Sequence, residues 1–246
     1  MDDLLPILFF GLVVVATHFL EGITGFGCTV LAMPFSILLV GVRTAKPILT
    51  LYAFLLAAYI VARSWRHIDW KSFGRMIVLL LLGLPIGIAL YSFLPQQELL
   101  WILAIFMLAV SVRGLLISFG RLPPGGTPEK AALALVFFGG IIHGAFSSGG
   151  PLVITYAAEK IPEKTAFRAT LCLVWMTLNA IILAQMAIGA QFPPECGRAL
   201  LISFPFFIAG AILGDLAHKH IRDTVFSRIT YATLFLTAIF MFFRAF

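Results

Sequence analysis

The sequence predicts an all-α polytopic membrane protein built from two inverted-topology repeats, each a Gly-rich re-entrant helical hairpin followed by three transmembrane helices. Three observations predict it. The chain is 61% hydrophobic and only 11% charged, with a mean hydropathy of +1.05, whereas a soluble domain is roughly a quarter charged. Two apolar runs are interrupted by glycine-rich polar stretches, His18 to Pro34 and His143 to Pro151. Finally, the basic residues fall unevenly on the two sides of the membrane once those stretches are read as hairpins.

The first repeat spans 1–118. It opens with the interrupted segment 5–41 and continues with apolar stretches at 46–63, 74–93 and 99–118, each close to the roughly 20 residues that cross a bilayer as a helix. Residues 119–130, with Pro123-Pro-Gly-Gly126, read as a linker. The second repeat, 131–246, has its hairpin at 131–158 and crossings at 166–190, 198–216 and 226–245. Turn or charge signals mark the breaks, as in Arg63-Ser-Trp-Arg-His-Ile-Asp69 and Pro193-Pro-Glu195. Sliding the chain by 122 residues sets Gly22 on Gly144, Gly27 on Gly149, Glu21 on His143 and Lys46 on Arg168. Gly83 and Gly87 match Gly210 and Gly214 after a further slip of five, which the loop at 190–197 absorbs. Paired interruptions in two halves are the best sequence pointer to a transporter's binding site.

Charge decides between a broken crossing and a hairpin. If each interrupted segment crosses once, there are eight crossings and the 17 Lys and Arg split 9 to 8. If each is a hairpin, six crossings remain and the split becomes 13 to 4, the bias expected of cytoplasmic loops. Loops 63–75, 113–130, 159–168 and 215–228 are then inside, and both termini outside. Asp2 and Asp3 precede the first apolar segment, so a cleavable signal peptide is not expected.

A hairpin tip at membrane depth leaves the first amides of its second half-helix without intrahelical partners. Those N–H groups and the positive end of the helix dipole favour an anion. Thr24, Gly25, Phe26, Gly27, Cys28 and Thr29 form one predicted tip; Ser147, Ser148, Gly149 and Gly150 form the other. Glycines allow close approach and the hydroxyls add donors. Lys46 and Arg168 begin the crossing after each hairpin and are expected to guide anions, while Thr50, Trp175 and Asn179 on the same crossings wall the pocket. The competing reading is packing: glycine clusters let membrane helices approach closely, which suits Gly83, Gly87, Gly210 and Gly214, and basic residues at helix ends often anchor at the interface. Glu21, His18 and His143 are the proton-coupling candidates, because burial and partners can bring such groups into a useful range; tying down the hairpins is their structural alternative.

Other chemistry is sparse. Cys28, Cys172 and Cys196 show no CxxC spacing, so neither a disulfide framework nor a metal site is expected. No GxSxG, HExxH or Walker loop is present, and no cofactor is implied. The net charge of +6 sits in short loops, which topology explains better than nucleic acid does.

The two interrupted Gly-rich openings, the Gly149-Gly150-Pro151 tip, the Thr165-Ala-Phe-Arg168 helix start and the Gly83/Gly87 and Gly210/Gly214 pairs resemble the TauE/SafE family of sulfite and organosulfonate exporters. The resemblance covers nearly the whole chain. It implies a secondary transporter of the bacterial or archaeal inner membrane, moving a small sulfur-containing anion such as sulfite, thiosulfate or sulfoacetate, more often outward. One departure is Gly25-Phe-Gly-Cys28, where the family often has a glycine run ending in an aliphatic residue; a bulky Phe26 would narrow the site. The expected partners are therefore a small anionic substrate and the lipid bilayer, and a homodimer is left open. A passive channel for a small anion or neutral solute, and a non-transporting scaffold, stand as the alternatives.

Overall fold

The computed structural model describes residues 4–123, 128–189, 191–218 and the isolated positions 231, 232, 235, 238 and 239. Among these residues there are nine α-helices, one 3₁₀ turn (Trp65–His67) and no strand. The helices are α1 (Leu4–Thr24), α2 (Cys28–Val40), α3 (Val42–Ser64), α4 (Trp70–Phe93), α5 (Gln96–Ser118), α6 (Glu129–Phe146), α7 (Gly150–Lys160), α8 (Lys164–Ile188) and α9 (Pro194–Ala217). Six of them, α1, α3, α4, α6, α8 and α9, are long and apolar enough to cross a membrane. The predicted crossing at 226–245 lies, apart from a few positions, outside the described residues, as do the extreme termini.

The predicted crossings at 46–63, 74–93, 99–118, 166–190 and 198–216 are all helical, but each helix starts two to four residues earlier than the apolar run. At α4 and α8 side-chain capping explains the difference. Asp69 accepts the Ser72 N–H at 3.0 Å to open α4, and Glu163 accepts the Thr165 N–H at 2.8 Å to open α8; Pro194 stands in the first turn of α9. Such polar starts are invisible to hydropathy but satisfy orphan amides.

Each interrupted segment is a long arm followed by a shorter, antiparallel one. Pro6 and Ile7 of α1 share a surface pocket with Leu39 and Val40 of α2, so the two ends of the first segment lie together. At the second segment, Lys160 Nζ at the end of α7 is 3.4 Å from Glu129 Oε1 at the start of α6.

Helices α3 and α8 pack on each other at the centre, while α1 packs on α9 and α4 on α6. This pattern is unchanged when α1–α4 are exchanged for α6–α9. Glycine makes both outer crossings. A Cβ added at Gly210 would sit 2.6 Å from the Val15 carbonyl oxygen, and one at Gly22 would sit 2.9 Å from Gly214 Cα. On the other pair, Cβ atoms at Gly83, Gly87, Gly140 and Gly144 would strike the backbones of Phe137, Ile141, Leu80 and Leu84. Backbone-to-backbone contact of this kind is how membrane helices associate without a hydrophobic driving force between them. The matching pair Gly22 and Gly144 therefore marks helix packing. The tips lie beyond it.

Candidate functional site

The two breaks approach each other beside the α3–α8 pair. In the first, α1 ends at Thr24, whose Oγ1 donates to the Leu20 carbonyl at 2.9 Å and accepts the Phe26 N–H at 3.4 Å. Gly25 (φ +80°) and Gly27 (φ +100°) are left-handed, a conformation glycine adopts without steric cost. Gly25 is constrained twice, since a Cβ there would also meet Arg168 Cα at 3.0 Å. The Gly25 carbonyl accepts the Trp175 indole N–H at 3.0 Å, with Cys172 Sγ 3.8 Å away. Helix α2 then starts at Cys28 with no side-chain cap, so its first amides have no intrahelical acceptor.

In the second break Ser147 itself is left-handed (φ 54°), uncommon for a residue with a side chain. Its Oγ lies 2.8 Å from Thr50 Oγ1. Ser148 Oγ donates to the Phe146 carbonyl at 2.9 Å. Gly149 is pressed against α6, where a Cβ would lie 2.9 Å from His143 Cβ, while Gly150 is roomier, with Trp175 and Phe26 atoms at 3.8 and 3.9 Å from its added Cβ.

Between the tips lies a buried cavity of about 20 Å³, lined by Glu21, Gly27, Cys28, Thr29 and Val30 from the first half and His143, Ser147, Ser148 and Gly150 from the second, with Ala53, Trp175 and Asn179 as walls. That is room for about one water. His143 is stacked on Trp175, centroids 5.4 Å apart, and its Nε2 lies 3.0 Å from Asn179 Oδ1. The Asn179 oxygen can only accept, so Nε2 carries the hydrogen.

Several residues expected at the site stand behind it. Thr24, Gly25, Phe26 and Gly149 shape the breaks without lining the cavity, and Thr50 reaches it only through Ser147. Lys46 does not face the cavity: its Nζ is 3.3 Å from the Gly144 carbonyl oxygen and 3.3 Å above the Tyr91 ring centroid. A cation there complements the carbonyl end of α6. Arg168 is engaged elsewhere too, with Nη2 2.8 Å from Asp215 Oδ1, while Asp215 Oδ2 takes Arg63 at 3.2 Å and Tyr59 at 3.1 Å. Sequence reasoning missed Asp215, which carries no motif beyond following Gly214. It also missed Val30 and Ala53, although Ala53 stands at the 122-residue offset from Trp175.

The first half carries a second, tighter grouping. One ligand atom from each of His18, Glu21 and Cys28 lies within 4.8 Å of the other two, all three buried. His18 Nε2 and Glu21 Oε2 have no hydrogen-bond partner.

Comparison with known proteins assigns the family. The sulfite exporter TauE/SafE family matches residues 9–241. A probable inner membrane transporter protein TsaS of Comamonas testosteroni is 25% identical over 168 residues, 67% of this chain and 69% of its own. A probable sulfite/organosulfonate exporter TauE of Cupriavidus necator is 22% identical over 237 residues, 94% of this chain and 91% of its own. No solved structure matches. With a family match over nearly the whole chain and six helices fit to cross a membrane, this protein belongs to the sulfite exporter TauE/SafE family of multi-pass membrane transporters.

Proposed function

We propose that this protein is a secondary transporter of a small sulfur-containing anion, sulfite, thiosulfate or an organosulfonate, working outward across a bacterial or archaeal inner membrane by alternating access. The observation that carries the reading is the meeting of two uncapped helix starts, α2 and α7, with the hydroxyls of Thr29, Ser147 and Ser148 at one buried cavity. Oriented amides and hydroxyls bind a compact anion without a free side-chain cation. The names of both relatives support the substrate class and the membrane.

The two interrupted segments act as re-entrant hairpins entering from opposite faces. In support, the ends of each lie together, and the hairpin topology alone gives the 13 to 4 charge bias. The halves are then inverted repeats, the helix pairing that survives their exchange is their pseudo-two-fold, and both termini face outward. A cavity of about 20 Å³ is too tight for a multi-atom anion, so one half must rock against the other to admit it. Thr50, Lys46, Trp175 and Arg168 serve by positioning the tips, while Gly27, Cys28, Thr29, Ser147, Ser148 and Gly150 make the contacts.

Thermal shift of the purified protein with sulfite, thiosulfate, sulfoacetate, taurine, sulfate and chloride tests the reading. A ligand of the folded state stabilises it by mass action. Stabilisation by one sulfur anion, lost in Ser148→Ala and Thr29→Val, supports the site; no shift with any anion sinks it. Efflux from proteoliposomes with and without a pH gradient then decides whether the cycle carries protons.

A further inference from the structure

Three buried side chains of the first half offer metal-ligating atoms, and His18 and Glu21 each keep one that no hydrogen bond uses. His18 is fully buried and its Nδ1 is 2.9 Å from the Val14 carbonyl oxygen. A carbonyl only accepts, so Nδ1 carries the hydrogen and Nε2 is left with a free lone pair and no partner. The ring is held in a slot between Tyr52 and Phe207, both edge-on, at centroid distances of 5.8 and 5.2 Å. Glu21 lies one turn further along α1, 2% exposed, with Oε2 also unpartnered. Cys28, 1% exposed, opens α2 across the break, its thiol beside the Glu21 carboxylate and 3.4 Å from Thr29 Oγ1. Buried polar atoms are normally satisfied, and two orphans side by side next to a thiol call for a ligand.

We propose that His18, Glu21 and Cys28 bind a divalent transition-metal ion of the zinc class. Three features converge on that cation. The donor set of one imidazole, one carboxylate and one thiolate is the nitrogen, oxygen and sulfur mixture that zinc-like ions take, where magnesium and calcium take oxygen alone. Charge balances: the carboxylate and thiolate together cancel a dication, so the filled site is neutral in an apolar setting. The imidazole is already prepared, because a ligating histidine typically gives its other N–H to a carbonyl or carboxylate, here Val14. Donor atoms on a tetrahedral zinc stand about 3.3–3.8 Å apart, so a group spread over no more than 4.8 Å needs little contraction. Binding forms one bond from each donor to the metal and releases the Cys28 thiol proton, with any proton on Glu21, to solvent. No electron moves. Glu21 and Cys28 also line the cavity, so the fourth, exchangeable position opens toward it. The site is peculiar to the first half: the 122-residue offset replaces His18, Glu21 and Cys28 with Gly140, His143 and Gly150. It stands whether or not the transported anion is a sulfur species.

The test uses the full chain in detergent, stripped with a chelator and titrated with Co²⁺, then Zn²⁺. One Co²⁺ per chain with a thiolate-to-cobalt charge-transfer band, bleached by Zn²⁺, is expected. Cys28→Ser should abolish the band, Cys172→Ser should retain it, and His18→Ala or Glu21→Gln should weaken affinity at least ~10-fold, the scale on which even outer-shell changes act. Size-exclusion profiles establish that each variant is folded. If Cys28→Ser fails to fold, Glu21→Gln against Cys172→Ser carries the same contrast. Monodisperse wild-type protein that retains no zinc and gives no cobalt band overturns the inference and leaves a proton shared by Glu21 and His18. A band that survives Cys28→Ser overturns it equally.

Discussion

The two breaks occupy matching places in the two halves and hold their polar groups differently, although each keeps a buried atom without a partner, His143 Nδ1 at the second and Glu21 Oε2 at the first. At the second, His143 has Asn179 at 3.0 Å and Trp175 stacked on its face, and Ser147 has Thr50 at 2.8 Å. At the first, Glu21 keeps an unpartnered oxygen, and the position that matches Asn179 is Ala57. Scaffold and chemistry have thus parted company. The glycine crossings and the hold of each central helix on the opposite break are duplicated: Thr50 on Ser147 in one sense, Cys172 on Gly25 in the other. The polar groups aimed at the cavity are not. The second half ties one nitrogen of its histidine to a neighbouring amide, whereas the first half leaves both Glu21 Oε2 and His18 Nε2 without a partner.

The largest effects should come where the halves agree. Gly87→Leu would drive a side chain into Ile141 and Gly214→Leu one into Phe19, backbone against backbone in both cases. Overpacking that only backbone shifts can relieve should cost about 3 kcal/mol or more, seen as loss of the monodisperse peak. At Gly74 an added Cβ meets nothing within 4 Å, and Gly74→Leu should leave the peak in place. If only one of the two crossings proves sensitive, the structural equivalence of the halves is broken.

Next come the places where the halves differ. Asn179→Ala leaves the His143 N–H buried without an acceptor, which should cost about 1–3 kcal/mol. Glu21→Gln, in metal-free protein, removes a buried carboxylate with an oxygen already unpartnered and should be neutral or raise Tm. A drop in Tm for Glu21→Gln as large as for Asn179→Ala would mean that Glu21 is a structural tie like its counterpart. Thr50→Val likewise strands the buried Ser147 Oγ and should cost about 1–3 kcal/mol.

Much of this difference was beyond the sequence. The breaks and the membrane-length helices at 46–63, 74–93, 166–190 and 198–216 were legible because hydropathy and glycine placement act locally along the chain. The packing role of Gly83, Gly87, Gly210 and Gly214 was legible for the same reason. Arg168 misled, because its partner Asp215 lies 47 residues away and only the fold brings them together. Lys46 likewise looked free until Gly144 and Tyr91 closed on it. The His18, Glu21 and Cys28 group was passed over because its spacing matches no known metal motif. The left-handed residues Gly25 and Gly27 fold Cys28 back onto α1, and no periodicity announces that turn.

The smallest contrast lies at the starts of the two central helices. Helix α8 is capped by Glu163, whose carboxylate accepts the Thr165 and Ala166 amides; at the matching position of α3 stands Gly41, with no side-chain cap. Those amide hydrogen bonds hold the Glu163 carboxyl below its ordinary value of 4.5. A depressed folded-state pKa means the cap stabilises fully above that value and fades as pH falls through the lowered one. Glu163→Ala should therefore cost about 1 kcal/mol at neutral pH, trimmed by solvent screening because the group is exposed. The gap from wild type should close on acidification. Gly41→Ala tests the other start by a different mechanism, since Gly41 has φ +77° and its cost should not depend on pH. Parallel melts at neutral and acid pH separate the two; a Glu163→Ala deficit that persists unchanged in acid would show that packing, not the charged cap, holds the start of α8.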